Sequence, residues 1–326
     1  MSEPLIAGVT SAPGTAGESE ASRFSRTALE WVCDHRDSFA LPDDVLDPRA
    51  DVNRTLKPLG ELAQLSHSIL THSAPGSDRH RRASELLDFA WEQTGRGGLF
   101  LDLLRGEPFT TYPLEIYAAF ATAGLRHTGF EELTATVRRT RGWARIEQEP
   151  NRRLGVLNSE RRVGFTPYGE SSAAFARTWL GGLPEPWTFE RTAGYGLTHV
   201  VFHLTDWGNA PHWMPAELRD YLALWLPAWL DTCLEAEQWD LSCELLAVAA
   251  SLPDVSSDTG TARTVESAWA RIAEVQDAAG GIPENGAGRP HEPARDFAYC
   301  YHSTLMAAFA ATLADAHLPA VQGGVA

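Results

Sequence analysis

Apolar residues in this chain recur every three to four positions almost throughout, the spacing of helices with one buried face. The pattern predicts helices near residues 25–39, 59–72, 80–94, 113–125, 130–148, 170–181, 195–206, 215–237, 240–252, 264–279 and 299–315. Alternation with a period of two, the strand signature, is confined to "LGVLNSERRVGF", residues 154–165, which reads as a short hairpin or a loop. The helices fall into two kinds. "HRRASELLDFAWEQ", "FEELTATVRRTRGWARIEQ" and "TARTVESAWARIAEVQDAAG" are amphipathic and heavily charged, so each covers one side of a core. "PLEIYAAFATAGL", "GLTHVVFHLTDWG", "LSCELLAVAASL" and "CYHSTLMAAFAATL" are apolar on most faces, and a helix of that kind must be surrounded by protein. The two kinds roughly alternate. The expected fold is therefore all-α, an α/α toroid of about five to six inner and outer helix pairs. Inner helices of such a ring run the same way, so residues at their N-terminal ends meet at one mouth.

Composition changes this picture little. Hydrophobic residues make up 44% of the 326 residues and there are 11 Trp, enough for a large core. Residues 1–22 are rich in Ser, Gly, Ala and Glu and are expected to be a flexible tail, with a single toroid domain over 23–318 and a second tail over 319–326. The opening stretch lacks a signal-peptide pattern, and no apolar run is long enough to span a membrane. The net charge of −16 argues against a nucleic-acid partner, whose affinity would rest on Lys and Arg. Cys33, Cys233, Cys243 and Cys300 are widely spaced and form no disulfide framework, which points to a reducing cytoplasm. Nucleotide-binding glycine loops, a Gly-x-Ser-x-Gly elbow, Cys-x-x-Cys pairs and His-Glu-x-x-His are all absent.

The stretch "GGIPENGAGRPHEPARDFAYCYHSTLMAAFA", from Gly280, places a turn of Gly and Pro before an apolar helix. Gly280, Gly281, Ile282, Gly288, Arg289, Pro290, Asp296, Cys300 and Tyr301 resemble the repeat unit of protein prenyltransferase β subunits and their terpene-cyclase relatives. That resemblance implies a toroid; the Asp-x-Asp-Asp acid motif of class II cyclases is missing. The segments "LTHVVFHLTDWG" and "CYH" also resemble actinobacterial toroid proteins linked to natural-product pathways.

Candidate chemistry gathers on the inner helices. His199, His203 and Asp206 fall within a stripe about 60° wide on an ideal helix. Two imidazoles four residues apart can reach one metal ion, and Asp206 can add a third ligand or fix a ring tautomer. Equally, they read as a capping histidine, a satisfied core histidine and a loop cap. Asp240, Cys243 and Glu244 share one side of the next helix, where Asp240 also reads as an N-cap and Glu244 as a first-turn carboxylate. The order Asp240, Cys243, His302 resembles the Asp, Cys and His order of prenyltransferase zinc sites. Cys300 and His302 lie about 200° apart on an ideal helix, so one of them faces the mouth, and His302 is favoured as ligand or base. Arg152, Arg153, Arg161 and Arg162 form the densest cationic group, suited to clamping a phosphate or carboxylate or to lying in a solvated loop. Glu115, Tyr117, Glu170 and His67 are secondary candidates.

These residues predict an enzyme of bacterial secondary metabolism acting on a small-molecule or carrier-bound substrate, by metal-assisted or general acid–base chemistry. His199, His302 and Glu244 are expected to be catalytic, and Arg153, Arg161 and Trp207 to bind substrate. The expected cofactor is a divalent ion, zinc first, held among His199, His203, Asp206, Asp240, Cys243 and His302. The alternative is a non-catalytic toroid that binds a peptide, lipid or partner protein, marked by a smooth aromatic cavity.

Overall fold

A computed structural model describes residues 20–47, 49–252, 259–286 and 297–317. Among the described residues there are thirteen α-helices and no strand. They are α1 (Glu20–Asp34), α2 (Leu56–Thr71), α3 (Asp78–Gln93), α4 (Gly98–Gly106), α5 (Tyr112–Thr122), α6 (Thr128–Val137), α7 (Pro150–Val163), α8 (Ser171–Phe175), α9 (Arg191–Leu204), α10 (Ala216–Glu235), α11 (Trp239–Ala250), α12 (Thr259–Val275) and α13 (Phe297–His317).

Packing sorts these helices into two layers. α2 packs on α5, α5 on α7, α7 on α9, α9 on α11, α11 on α13, and α13 back on α2. This closed circuit of six is compatible with the expected toroid. Around it, α1 lies on α13 and α3, α3 on α2, α10 and α12 on α11, α4 on α5 and α6, and α8 on α7. Apart from α7, which carries four arginines, the circuit is built from helices without a heavily charged face. Leu305 to Leu313 of α13 are all buried, and so are Trp239 to Ala249 of α11. Alanines such as Ala307, Ala308, Ala310 and Ala311 let neighbours approach, while Phe309 and Leu305 fill the space between. Each fully buried Leu or Phe of this kind contributes about 1.5–3 kcal/mol.

Contacts across the circuit join like ends of the helices. Glu61 of α2 meets His302 of α13, and Tyr195 of α9 meets Asp240 of α11, all in N-terminal halves. Arg162, at the end of α7, meets Thr122 at the end of α5 and Asp206 just beyond α9. The circuit helices thus run the same way.

The main departure from the sequence pattern is the stretch 154–165. Instead of a hairpin it is most of α7, a member of the circuit. Leu154, Val156 and Leu157 are buried, but Arg152, Asn158, Ser159 and Arg162 face a cavity, so the helix has no clean apolar stripe. Its ends carried the signal. Glu149 accepts from the amides of Asn151 and Arg152 at 3.1 and 2.7 Å, Pro150 opens the first turn, and Gly164 closes it at φ 94°. The helix expected over 130–148 stops at Val137, followed by a 3₁₀ turn at Trp143–Arg145. The one expected over 170–181 is the five-residue α8 with a separate 3₁₀ turn at Leu180–Gly182. α4 has no counterpart in the expected set. α1 begins at Glu20, inside the stretch expected to be tail; residues 1–19 and the expected tail 319–326 lie outside the described residues. So do Gly288, Arg289, Pro290 and Asp296 of the prenyltransferase-like stretch.

Candidate active site

The start of α13 is held by the turn before it. Gly280 has φ 103°, and a Cβ there would lie 2.4 Å from the carbonyl oxygen of Thr27 on α1, so only glycine fits. The amide of Ile282 donates to Thr304 Oγ1 at 2.9 Å, and Ser303 Oγ donates to the Ile282 carbonyl at 3.0 Å. These two bonds pin the first turns of α13 from the outside. His302 is left pointing the other way, toward α2 and α11.

There it meets three carboxylates. Its Nε2 lies 3.0 Å from Glu244 Oε1 and 3.4 Å from Asp240 Oδ1; its Nδ1 lies 3.1 Å from Glu61 Oε2. The Nε2 contact with Glu244 is a hydrogen bond, whereas the one between Nδ1 and Glu61 falls outside hydrogen-bond geometry and is ionic. Asp240 and Glu244 are one turn apart on α11, which sets both on one face. Tyr195 donates its hydroxyl to Asp240 Oδ2 at 2.7 Å, and Thr198 donates to Glu244 Oε2, so α9 fixes both carboxylates from behind. Asp240 is 6% exposed and Glu244 1%. One atom each from Asp240, Glu244 and His302 lies within 4.8 Å of the others, an arrangement that could hold a metal ion.

The electrostatics follow from burial. Burial opposes charge on His302, but Asp240, Glu61 and the Glu244 hydrogen bond overcome it and raise the imidazole well above its ordinary range. Burial likewise opposes ionisation of Glu61 and Glu244, yet His302 holds both below the usual carboxylate range. For Asp240 burial wins and its carboxyl is raised, with Glu244 adding to the effect. Lys57 Nζ lies 3.8 Å from Glu61 Oε1, so with His302 as an imidazolium, three ionised carboxylates here would leave one negative charge uncompensated. Asp240 Oδ1 is buried without a hydrogen-bond partner, and Glu61 Oε2 and His302 Nδ1 have only each other, as an ion pair.

Glu61, Glu244 and His302 form one wall of an open cavity of about 350 Å³ among the circuit helices. Gln64 of α2, Glu115 of α5, Arg152 and Arg162 of α7, His199 and His203 of α9, and Trp207 also line it. Arg152 is bound by Glu115 through both oxygens, at 2.6 and 2.9 Å. His203 packs against Gly155, where a Cβ would lie 3.0 Å from its Nε2. Its ring is open to the cavity and otherwise enclosed by protein. Burial, then the charges of His199, Arg152 and Arg162, hold it neutral, with a pKa lowered to about 3.

The structure divides the residues expected to bind metal. Asp240 and His302 come together with Glu244, which was expected to be catalytic. His199 and His203 line the same cavity but present rings 6.3 Å apart between centroids, and among the described residues no third ligand joins them. Asp206 leaves their stripe because the helix ends at Leu204: Asp206, Trp207 and Gly208 all take positive φ, at 51°, 57° and 83°. Its carboxylate lies 3.4 Å from Arg162 Nε instead. Cys243 is fully buried and lies outside the group formed by Asp240, Glu244 and His302. Cys300 is also fully buried, and His302 is the one that faces the cavity. Asp240 sits in the first turn of α11, where Gln238 holds the cap position.

Among the arginines, the cavity-facing pair is Arg152 and Arg162. Arg153 lies over Tyr168 and Arg161 over Trp213, with centroid distances of 5.6 and 4.2 Å. Neither lines the cavity; α7 turns their positions away from the face of Arg152, Gly155, Asn158 and Arg162. Trp207 does line the cavity and stacks on Phe202 at 4.9 Å. Glu61 was missed altogether. It lies on the polar side of "KPLGELAQLSH" at helical spacing from Gln64 and His67, a pattern that marks a helix facing something other than apolar core.

Among the described residues no helix is long and apolar enough to cross a membrane, and none of the four cysteines is in a disulfide. No curated protein and no solved structure matches the chain. A family profile matches residues 25–312, and on that match the chain belongs to the DUF6895 family, a domain of unknown function.

Proposed function

We propose that this protein is an enzyme acting on a small-molecule or carrier-bound substrate inside the cavity, with a divalent metal ion held by Asp240, Glu244 and His302. The observation that carries this reading is the convergence of Asp240, Glu244 and His302, whose ligand atoms lie within 4.8 Å of one another, in a group whose three carboxylates outnumber the cations His302 and Lys57. A bound cation resolves the excess, because buried charges are otherwise costly. Oxygen and imidazole donors suit zinc and also manganese, whereas thiolate would have narrowed the choice. Bound there, such an ion supplies Lewis-acid polarisation of a substrate oxygen or a more acidic water. Tyr195 and Thr198 would hold the ligating carboxylates in register, and Glu61 would orient the His302 ring from its other nitrogen. His199, open to the cavity, is the candidate for proton transfer. His203, held neutral, is suited to donating or accepting a hydrogen bond without taking charge. The resemblance to toroid proteins of natural-product pathways supports a place in secondary metabolism. A purely binding toroid is the less favoured reading, since a smooth aromatic cavity would lack this polar wall.

Elemental analysis and zinc and manganese titration of the purified protein test the metal. About one ion per chain is expected, lost in Glu244→Gln with the helical content intact, because a core of this size does not depend on the ion to fold. Affinity should rise with pH, as His302 must shed a proton before it can ligate. Protein that binds neither metal at micromolar concentration would overturn the proposal.

A further inference from the structure

The cavity has a second polar end. Arg162 lies on the last turn of α7 with only 4% of its side chain exposed. Its guanidinium is held on two sides. Nη1 donates to Gln64 Oε1 at 2.5 Å, and Nε donates to Thr122 Oγ1 at 3.2 Å with Asp206 Oδ1 at 3.4 Å. The third nitrogen, Nη2, is buried and has no acceptor. Burial lowers the guanidinium to about 10, with Asp206 opposing, and it remains a cation at neutral pH. A charged donor left without an acceptor in a protein interior is costly, and a rigid fork pinned on two sides cannot swing Nη2 elsewhere.

We propose that Nη2 of Arg162 anchors a carboxylate of the substrate. The arrangement of the two ends then limits the substrate. Gln64, which holds Arg162, and Glu61, which touches His302, are three residues apart on α2, so the two polar ends are neighbours along one helix. A ligand spanning both ends therefore carries its carboxylate at the Arg162 end and its reacting group at the Asp240–Glu244–His302 end. This fits a short functionalised carboxylic acid and the cavity of about 350 Å³. A carboxylate is favoured over a phosphate because Asp206 already supplies one negative charge at the guanidinium, and a dianion would add two more beside it. Arg152 does not compete for the role: Glu115 occupies it with both oxygens, and Glu147 lies 3.7 Å away. The sequence pattern pointed to Arg153 and Arg161, but those side chains lie over aromatic rings off the cavity.

This inference rests on the cavity being the substrate site, and the test separates it from the metal. Ligand-observed NMR would follow propionate, its uncharged isostere propionamide, and inorganic phosphate against the full chain and its Arg162→Gln, Arg162→Lys and Arg153→Gln variants. Propionate should bind the native protein, with propionamide at least about tenfold weaker, since a charged acceptor strengthens the bond. Arg162→Gln should weaken propionate roughly ten- to hundredfold, while Arg153→Gln leaves it unchanged. Should circular dichroism show that Arg162→Gln is unfolded, Arg162→Lys decides. It keeps the charge but loses the fork, and propionate affinity must still fall. Absence of propionate binding, equal binding of propionamide, tighter binding of phosphate, or indifference to the Arg162 variants would each overturn the anchor. Zinc content measured on the same samples tells the two readings apart. Propionate binding without metal leaves the anchor standing and removes the metal; metal without propionate binding does the reverse.

Discussion

His67 offers a quantitative test of how this interior is built. The residue is 6% exposed on α2, and neither ring nitrogen has a hydrogen-bond partner. Burial, then the charge of Arg162, lowers its pKa from 6.5 to about 4. In the unfolded chain the same ring takes up a proton near its ordinary value. Between those two values the unfolded state binds more protons than the folded state, so stability falls as pH falls, by up to about 1.4 kcal/mol per unit. From pH 7.5 to pH 5 the loss from this one group comes to about 2 kcal/mol. His67→Leu, close in size and without a titrating ring, removes the loss. It also removes a buried group that lacks partners, which should stabilise the protein by about 1 kcal/mol at pH 7.5. Its advantage over the native chain should therefore grow from about 1 to about 3 kcal/mol on acidification. His302, raised rather than lowered, works in the opposite sense: its stabilisation is complete below its unfolded value and is lost as pH rises through its folded one. That contribution is the same in both proteins and cancels in the difference. Urea unfolding of the pair at the two pH values reads the effect directly. A stability difference that does not change with pH would refute the buried-neutral histidine. A variant less stable at both pH values would mean that the ring has partners after all.

Two further substitutions probe α7. Glu160 is fully buried, accepting from Arg138 at 2.7 Å, Trp143 Nε1 at 2.8 Å and the Tyr168 amide at 2.7 Å; Glu160→Gln removes the charge opposite the Arg138 guanidinium, leaving it the Thr166 carbonyl and the Phe165 ring, and should cost about 3 kcal/mol in a denaturant titration. A cost below about 1 kcal/mol would show that the pair is worth no more than a surface bridge. Gly155→Ala should keep the fold, since alanine favours a helix by about 1 kcal/mol, but its Cβ would lie 3.0 Å from His203 Nε2 and must push that ring into the cavity. The imidazole resonances of His203 report the shift, and unchanged resonances would contradict the close packing.

The sequence by itself determined the class of fold. Helices without a charged face, such as "LSCELLAVAASL", have nowhere to go but inside a protein, and amphipathic ones such as "HRRASELLDFAWEQ" must cover them. It also marked Asp240, Glu244 and His302, because carboxylates and a histidine at the start of an apolar helix stand out against their surroundings. What it did not carry was the company each residue keeps. α7 escaped recognition because a helix that faces a polar cavity on one side and core on the other shows little periodicity. With α7 unread, its register was unknown, and Arg153 and Arg161 stood for Arg152 and Arg162. The stripe of His199, His203 and Asp206 assumed a helix that ran on; three successive positive φ values ended it and sent Asp206 to Arg162. Glu61 joined His302 only because α13 closes the circuit onto α2. Local spacing fixes which residues share a face of one helix, but a site drawn from six helices is decided by where each helix stops and which face it turns to its neighbours, and those depend on packing across the whole ring.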